Sequence, residues 1–166
     1  MDLELMSWQD IRPITLGIIW RDDEMLLQEI EDPESGELMY RPLGGGIEFG
    51  ETASEALRRE FQEELDAQLV NLSLLGMVEN MFTFSGQENH QVEFIFETEF
   101  ADDQLYDVEL LEFEEDTGRS FEARWFTKDD IEELNPRLVP DGLKDLLTNS
   151  TEDADDLHLV DGPVLR

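Results

Sequence analysis

The sequence predicts an α/β sandwich built on a mixed sheet, and three observations predict it. Short β-rich runs recur through the chain, a single strongly patterned helix sits among them, and shorter helical stretches close it. The elements follow in order. Ile14 to Trp20 (ITLGIIW) and Met25 to Ile30 are apolar runs flanking the turn-like Arg21-Asp22-Asp23, which predicts a hairpin. Asp32 to Gly36 is rich in turn formers and leads to a short strand, Leu38–Arg41. Pro42 and the run Gly44-Gly45-Gly46 predict irregular backbone. Thr52 or Ser54 caps a helix that runs to about Leu65, and Glu55 completes a capping box with Thr52.

Strands are expected at Gln68–Leu75, Met77–Phe84, Gln91–Phe100 and Ser120–Phe126. Val92, Phe94 and Phe96 alternate with Glu93, Ile95 and Glu97, a half-buried pattern in which Glu93 is either an outward residue or a site residue. Ser85 to His90 is expected to be a turn, and the acidic stretch Asp102 to Gly118 a loop. Lys128–Leu134 and Pro140–Leu147 read as short helices. Residues 1–148 form one domain on this reading, and 149–166 an acidic C-terminal tail in which LHLVDGPVLR can add a short ordered piece. No internal repeat is visible.

Charge excludes several functions. The chain carries 43 acidic residues against 11 Lys+Arg, a formal net charge of −32. Such a surface repels polynucleotides and anionic membranes, so neither is an expected partner. The surplus fits either a salt-adapted protein or an ordinary acidic one with an acidic tail. Without cysteine there are no disulfides, thiolate nucleophiles or zinc–sulfur sites. The N-terminal MDLELMSWQD lacks the pattern of a signal peptide, and no apolar run is long enough to span a bilayer. A cytoplasmic protein is expected.

Chemistry concentrates in Gly45 to Ala67, GGIEFGETASEALRREFQEELDA. On a helical wheel, Glu64 falls about 40° to one side of Glu60 and Glu63 about 60° to the other. All three carboxylates share a face, bordering the apolar stripe Leu57, Phe61 and Leu65. Carboxylates crowded at such an edge are partly desolvated and repel one another, which a divalent cation relieves. Arg59 lies four residues from both Glu55 and Glu63, and is in reach of Glu51 across the loop.

The spacing resembles the Nudix box. Gly45 is followed after five residues by Glu51, and after seven more by Arg59-Glu60-Phe61-Gln62-Glu63-Glu64. It departs from the family pattern at Asp66, where glycine usually ends the helix. Aspartate tolerates the left-handed conformation better than most residues, so the departure touches the helix end and not the chemistry.

The resemblance implies a Nudix-like α/β/α sandwich with a central mixed sheet over about Ile14 to Leu147. It implies hydrolysis of a small nucleoside diphosphate derivative, with magnesium or manganese and water attacking phosphorus. Glu60 and Glu64 resemble the principal metal ligands, with Glu63 a further ligand or the base, and Gly45 offering its carbonyl. Glu51 braces the loop through Arg59.

The base is left open, since the family draws it from the helix or from a later loop. Glu93 is the leading candidate outside the box and Glu122 a weaker one. Arg41, just before the glycine loop, is a candidate for a terminal phosphate, the alternative being a surface ion pair. Glu79 to Phe84 lies where the family places selectivity residues, so Phe82 or Phe84 can stack on a base or pack in the core. Proline or tyrosine markers of ADP-ribose and dinucleoside polyphosphate specificity are missing from their usual distance after the box. His90, Trp20 and Trp125 read as structural. A non-catalytic nucleotide sensor of the same fold is the alternative, but sensors generally lose box glutamates, and Glu51, Glu60, Glu63 and Glu64 are all present. A homodimer stays open.

Overall fold

A computed structural model describes residues 10–115, 117–134, 137–149 and 158–161. The strands are β1 (Ile11–Ile18), β2 (Trp20–Arg21), β3 (Glu24–Glu31), β4 (Leu38–Arg41) and β5 (Leu43–Gly46), followed by helix α1 (Ala53–Leu65). Then come β6 (Leu69–Phe84), β7 (Gln87–Phe100), β8 (Leu110–Glu114), β9 (Ser120–Thr127), helices α2 (Lys128–Leu134) and α3 (Leu143–Asn149), and β10 (His158–Asp161).

The mixed sheet has the order β10-β6-β7-β1-β5. In it β1 runs parallel to β7 and β10 parallel to β6, while β5 is antiparallel to β1 and β7 to β6. A second sheet, wholly antiparallel, has the order β2-β3-β9-β8 with β4 on the free side of β3. The α/β class and the mixed sheet are as the sequence predicts; the division into two sheets is not legible there.

That division corrects the expected hairpin. The first apolar run changes sheets at Ile19, so β1 joins the mixed sheet and only β2 pairs with β3. The triple glycine is not irregular either: Gly44, Gly45 and Gly46 pair with Leu16, Thr15 and Ile14 of β1. Gln68–Leu75 and Met77–Phe84 merge into one long strand, interrupted by register shifts between Val70 and Ser73 and between Leu74 and Gly76. The turn after it shrinks to Ser85-Gly86, both with positive φ (52° and 73°), as a two-residue hairpin turn requires. The expected acidic loop holds a 3-10 turn, Asp103–Asp107, and strand β8. The last helix starts at Leu143, not Pro140, because Pro140 to Gly142 form its lead-in turn, with the Leu143 N–H donating to the Pro140 carbonyl. Most of the expected acidic tail, 150–157 and 162–166, lies outside the described residues; His158–Asp161 is the ordered piece expected there.

Helix α1 forms as its sequence dictates. The Thr52 hydroxyl accepts from the Glu55 N–H at 3.2 Å, and the Glu55 carboxylate accepts from the Thr52 N–H at 2.9 Å. Its apolar face buries Ala56, Leu57 and Phe61 against Ile19, Leu43, Phe96 and Phe100. Each large side chain buried this way contributes roughly 1.5–3 kcal/mol. At the far end Asp66 takes the left-handed conformation (φ 51°, ψ 36°), and its N–H donates to the Gln62 carbonyl. The Gln62 side chain donates to the Asp66 carboxylate at 2.6 Å, so the missing glycine is replaced by a braced aspartate.

Helices α2 and α3 cover the other side, where Ile131, Leu143 and Leu146 meet Leu16, Ile18, Leu27 and Ile95. The sheets therefore lie between helices, and α1 and its preceding loop are held against β1, with the Thr15 hydroxyl donating to the Ala53 carbonyl at 2.9 Å. Among the described residues no helix is long and apolar enough to cross a membrane.

Candidate active site

Strand β5 delivers Gly45 directly beneath the start of the acidic face of α1. A β-carbon at Gly45 would lie 2.4 Å from the Glu60 carboxyl carbon. Only glycine lets the Glu60 carboxylate rest on this backbone.

Arg59 organises the loop around that contact. Its Nε and Nη2 donate to the two oxygens of Glu51 at 3.1 and 2.7 Å. Nη2 also donates to the Gly46 carbonyl at 2.9 Å, and Nη1 to Glu60 and Glu63 at 3.1 and 3.2 Å. The guanidinium holds the Glu51 carboxyl below the usual carboxylate range, and hydrogen bonding to Glu51 raises Arg59 itself further above its ordinary value. Glu55, the other partner expected for Arg59, is engaged in the capping box instead.

The three helix carboxylates share one face: Arg59 Nη1 donates to both Glu60 and Glu63, and Glu64 lies beside Glu60. The Glu60 and Glu64 carboxyls, one helical turn apart, lie close enough to act on each other. Burial raises both carboxyls, and in Glu64 the neighbouring Glu60 charge adds to it, pushing Glu64 to about 8. Glu63, on the other side of the wheel, turns toward Arg59 and stays half open to solvent. Among the described residues no three acidic or histidine side chains form a ready-made cation cage.

The pair still fits a hard divalent ion. Two crowded, partly desolvated carboxylates beside a bare glycine backbone offer hard oxygens and leave coordination positions for water and substrate, as magnesium prefers.

The candidates outside the box meet elsewhere. Arg41, Phe82 and Glu93 line one cavity of about 680 Å³ between the two sheets. Glu93 does not face out: it is 2% exposed, because the β7 residues of its parity, Gln91, Glu93 and Ile95, point into the molecule. Burial pushes its carboxyl up to about 7, against the lowering influence of Arg41, while the Asp141 charge raises it further. Arg41 acts on Glu64 as well as on Glu93, and Glu115 both lines the cavity and acts on Glu64, so cavity and box adjoin. Glu122 is on the surface, bridged to Arg124 at 3.2 Å. His90 sits in β7 and pairs with Glu79 at 2.9 Å. Trp125 is structural, its indole N–H donating to the Val108 carbonyl at 2.8 Å.

Sequence reasoning passed over Asn80, Gln28 and Gln91, three buried amides in this cavity. The signal for Asn80 was present: it stands two positions before Phe82 on the same strand and so shares its face.

Comparison with known proteins agrees with this architecture. The NUDIX domain family matches residues 11–147. The NAD-capped RNA hydrolase NudC of Pseudomonas syringae pv. tomato is 30% identical over 131 residues, 78% of this chain; the chain spans only 41% of that relative's length. A NUDIX hydrolase from Nitrosomonas europaea superimposes with a TM-score of 0.57 at 22% identity, over 86% of this chain and 89% of its own. A MutT NUDIX hydrolase from Burkholderia pseudomallei gives 0.55 at 26% identity, over 74% and 87%. With the family match spanning nearly the whole sandwich and the glutamate helix seated on its glycine strand, this chain belongs to the Nudix hydrolase family.

Proposed function

We propose that the protein hydrolyses the pyrophosphate linkage of a small nucleoside diphosphate derivative, with magnesium or manganese held by Glu60, Glu64 and the Gly45 carbonyl. The observation that carries this reading is the Glu60–Glu64 pair, partly buried and mutually close, with the Glu60 carboxylate seated on a glycine backbone that leaves no room for a side chain. When bound, the ion neutralises phosphate charge and acidifies a water. Arg59 and Glu51 hold the loop so that Gly45 stays under Glu60. Glu63, solvent-open and next to the pair, accepts the proton from the attacking water. Arg41 steadies the substrate at the junction between box and cavity.

The NudC relative acts, by its name, on NAD-capped RNA. A formal charge of −32 opposes a polynucleotide here, so a small nucleotide is the substrate we favour, for an enzyme working in the cytoplasm. Residues 1–148 act as one catalytic domain on this reading, and 149–166 as an acidic tail.

The test is a nucleotide panel with magnesium and manganese, run on wild type and Glu64→Gln. Wild type should turn over at least one nucleoside diphosphate derivative only when metal is present, and Glu64→Gln should lose about a hundredfold or more in kcat. Metal-independent turnover, or full activity in Glu64→Gln, would refute the metal assignment. Binding without turnover of any nucleotide would favour a sensor.

A further inference from the structure

We propose that the cavity between the sheets receives the substrate's nucleobase, and that Asn80, Glu93 and Arg41 select guanine. The inference rests on the hydrolase reading above and names the class of nucleotide it acts on.

The cavity is built from polar groups that proteins seldom bury. Gln28, Asn80, Gln91 and Glu93 are all buried, Asn80 at 5% and Glu93 at 2% exposure, and all four line it. Among the described residues, three buried side-chain atoms make no hydrogen bond within the protein: Arg41 Nε, Asn80 Oδ1 and Glu93 Oε2. All three residues line this cavity. Buried polar atoms left without partners destabilise a fold, so their concentration at one place points to a ligand that completes them.

Their order specifies the ligand. In the β6–β7 register Asn80 stands opposite Gln91 and Val78 opposite Glu93, which sets Asn80 and Glu93 diagonally on one face. Asn80 Oδ1 and Glu93 Oε2 are both acceptors without a partner in the protein, on the same face of the sheet. From the facing sheet, Arg41 contributes Nε, a donor. Two adjacent acceptors and one donor complement an edge with two adjacent donors and one acceptor. Guanine has that edge: the exocyclic amine, the ring N1–H and O6. Adenine offers one donor beside an acceptor, which sets a lone pair against one of the two oxygens. Uracil has a single donor.

Shape agrees with chemistry. A volume of about 680 Å³ lies within the usual range for small-ligand sites, roughly 300–1,000 Å³. Phe82 and Phe84 follow Asn80 at alternate positions of β6 and line the same cavity, giving a base apolar surface to lie against. Because Arg41 and Glu115 border both the cavity and Glu64, a base seated here sends its phosphates toward the box.

Calorimetry with GMP, IMP and AMP tests the pocket without turnover, since none contains a pyrophosphate bond. At pH 8 with magnesium, GMP should bind at least tenfold more tightly than AMP, and IMP, which lacks the exocyclic amine, about tenfold more weakly than GMP. Glu93→Gln and Asn80→Ser should each weaken GMP about tenfold and leave AMP within about twofold. Equal affinities for GMP and AMP in the wild type, or no binding of either at millimolar concentration, would overturn the proposal without needing any variant to fold. The two readings fail separately. Hydrolysis of nucleotides with no preference of base removes the guanine pocket and keeps the hydrolase. Tight GMP binding with no hydrolysis of any nucleotide does the reverse.

Discussion

Arg59 grips Glu51 through two parallel hydrogen bonds, Nε to one carboxylate oxygen at 3.1 Å and Nη2 to the other at 2.7 Å. The same guanidinium reaches the Gly46 carbonyl, so one side chain ties helix, loop and strand together. Lysine, a point charge with no planar fork, cannot make all these bonds. Arg59→Lys should lower kcat by about ten- to a hundredfold while circular dichroism stays native. Glu51→Gln should do likewise, and the double variant should lose less than the product of the two, since both act through one contact.

Gly45→Ala tests the seat of Glu60 directly. The added methyl would lie 2.4 Å from the Glu60 carboxyl carbon, so the Glu60 carboxylate must leave its seat. A displacement of about 1 Å costs on the order of a hundredfold in rate, and that loss is expected in steady-state assays with saturating magnesium. Gly46→Ala is the control: its β-carbon meets nothing within 4 Å, and the rate should change far less.

Asp66→Gly should stabilise the protein. Asp66 occupies the left-handed region at φ 51°, where glycine carries no β-carbon penalty. A gain of about 0.5–1 kcal/mol, or roughly 1–4 °C in Tm, is expected by thermal melting, less the small loss of the exposed Gln62 hydrogen bond. Activity should not change, because Asp66 touches neither the Glu60–Glu64 pair nor the cavity.

Glu93 makes stability depend on pH. Its folded pKa is about 7 against an ordinary 4.5, chiefly through burial. Between those values the folded state keeps a proton that the unfolded state has released, so stability falls as pH rises through the window and levels off above it. Glu93→Gln should flatten that decline, gaining up to about 2–3 kcal/mol relative to wild type at pH 8 and little at pH 4.5. Urea midpoints at the two pH values measure this; parallel declines in both proteins would contradict it.

Local features of α1 were legible because their partners lie within a few residues. The Thr52–Glu55 box and the Leu57–Phe61 stripe depend only on helical period, and the structure has both. The Arg59–Glu63 pair follows from the same helical period, while the share of that guanidinium taken by Glu60 does not. Strand β8 was hidden in the acidic stretch, although Leu111 and Phe113 are buried between exposed Glu112 and Glu114, an alternation that could have been read. The direction of Glu93 was not legible because its strand is covered on both faces, so period two no longer separates core from solvent.

The sequence alone therefore determined the α/β class, the helix with its caps and the glutamates that mark the family, since each rests on short-range spacing. Only the tertiary structure decided that Gly45 lies under Glu60, that the chain crosses between two sheets at Ile19, and that Arg41, Asn80 and Glu93 share one cavity. Those relations join residues distant along the chain. They depend on strand register and sheet packing, where a shift of one residue reverses every side chain.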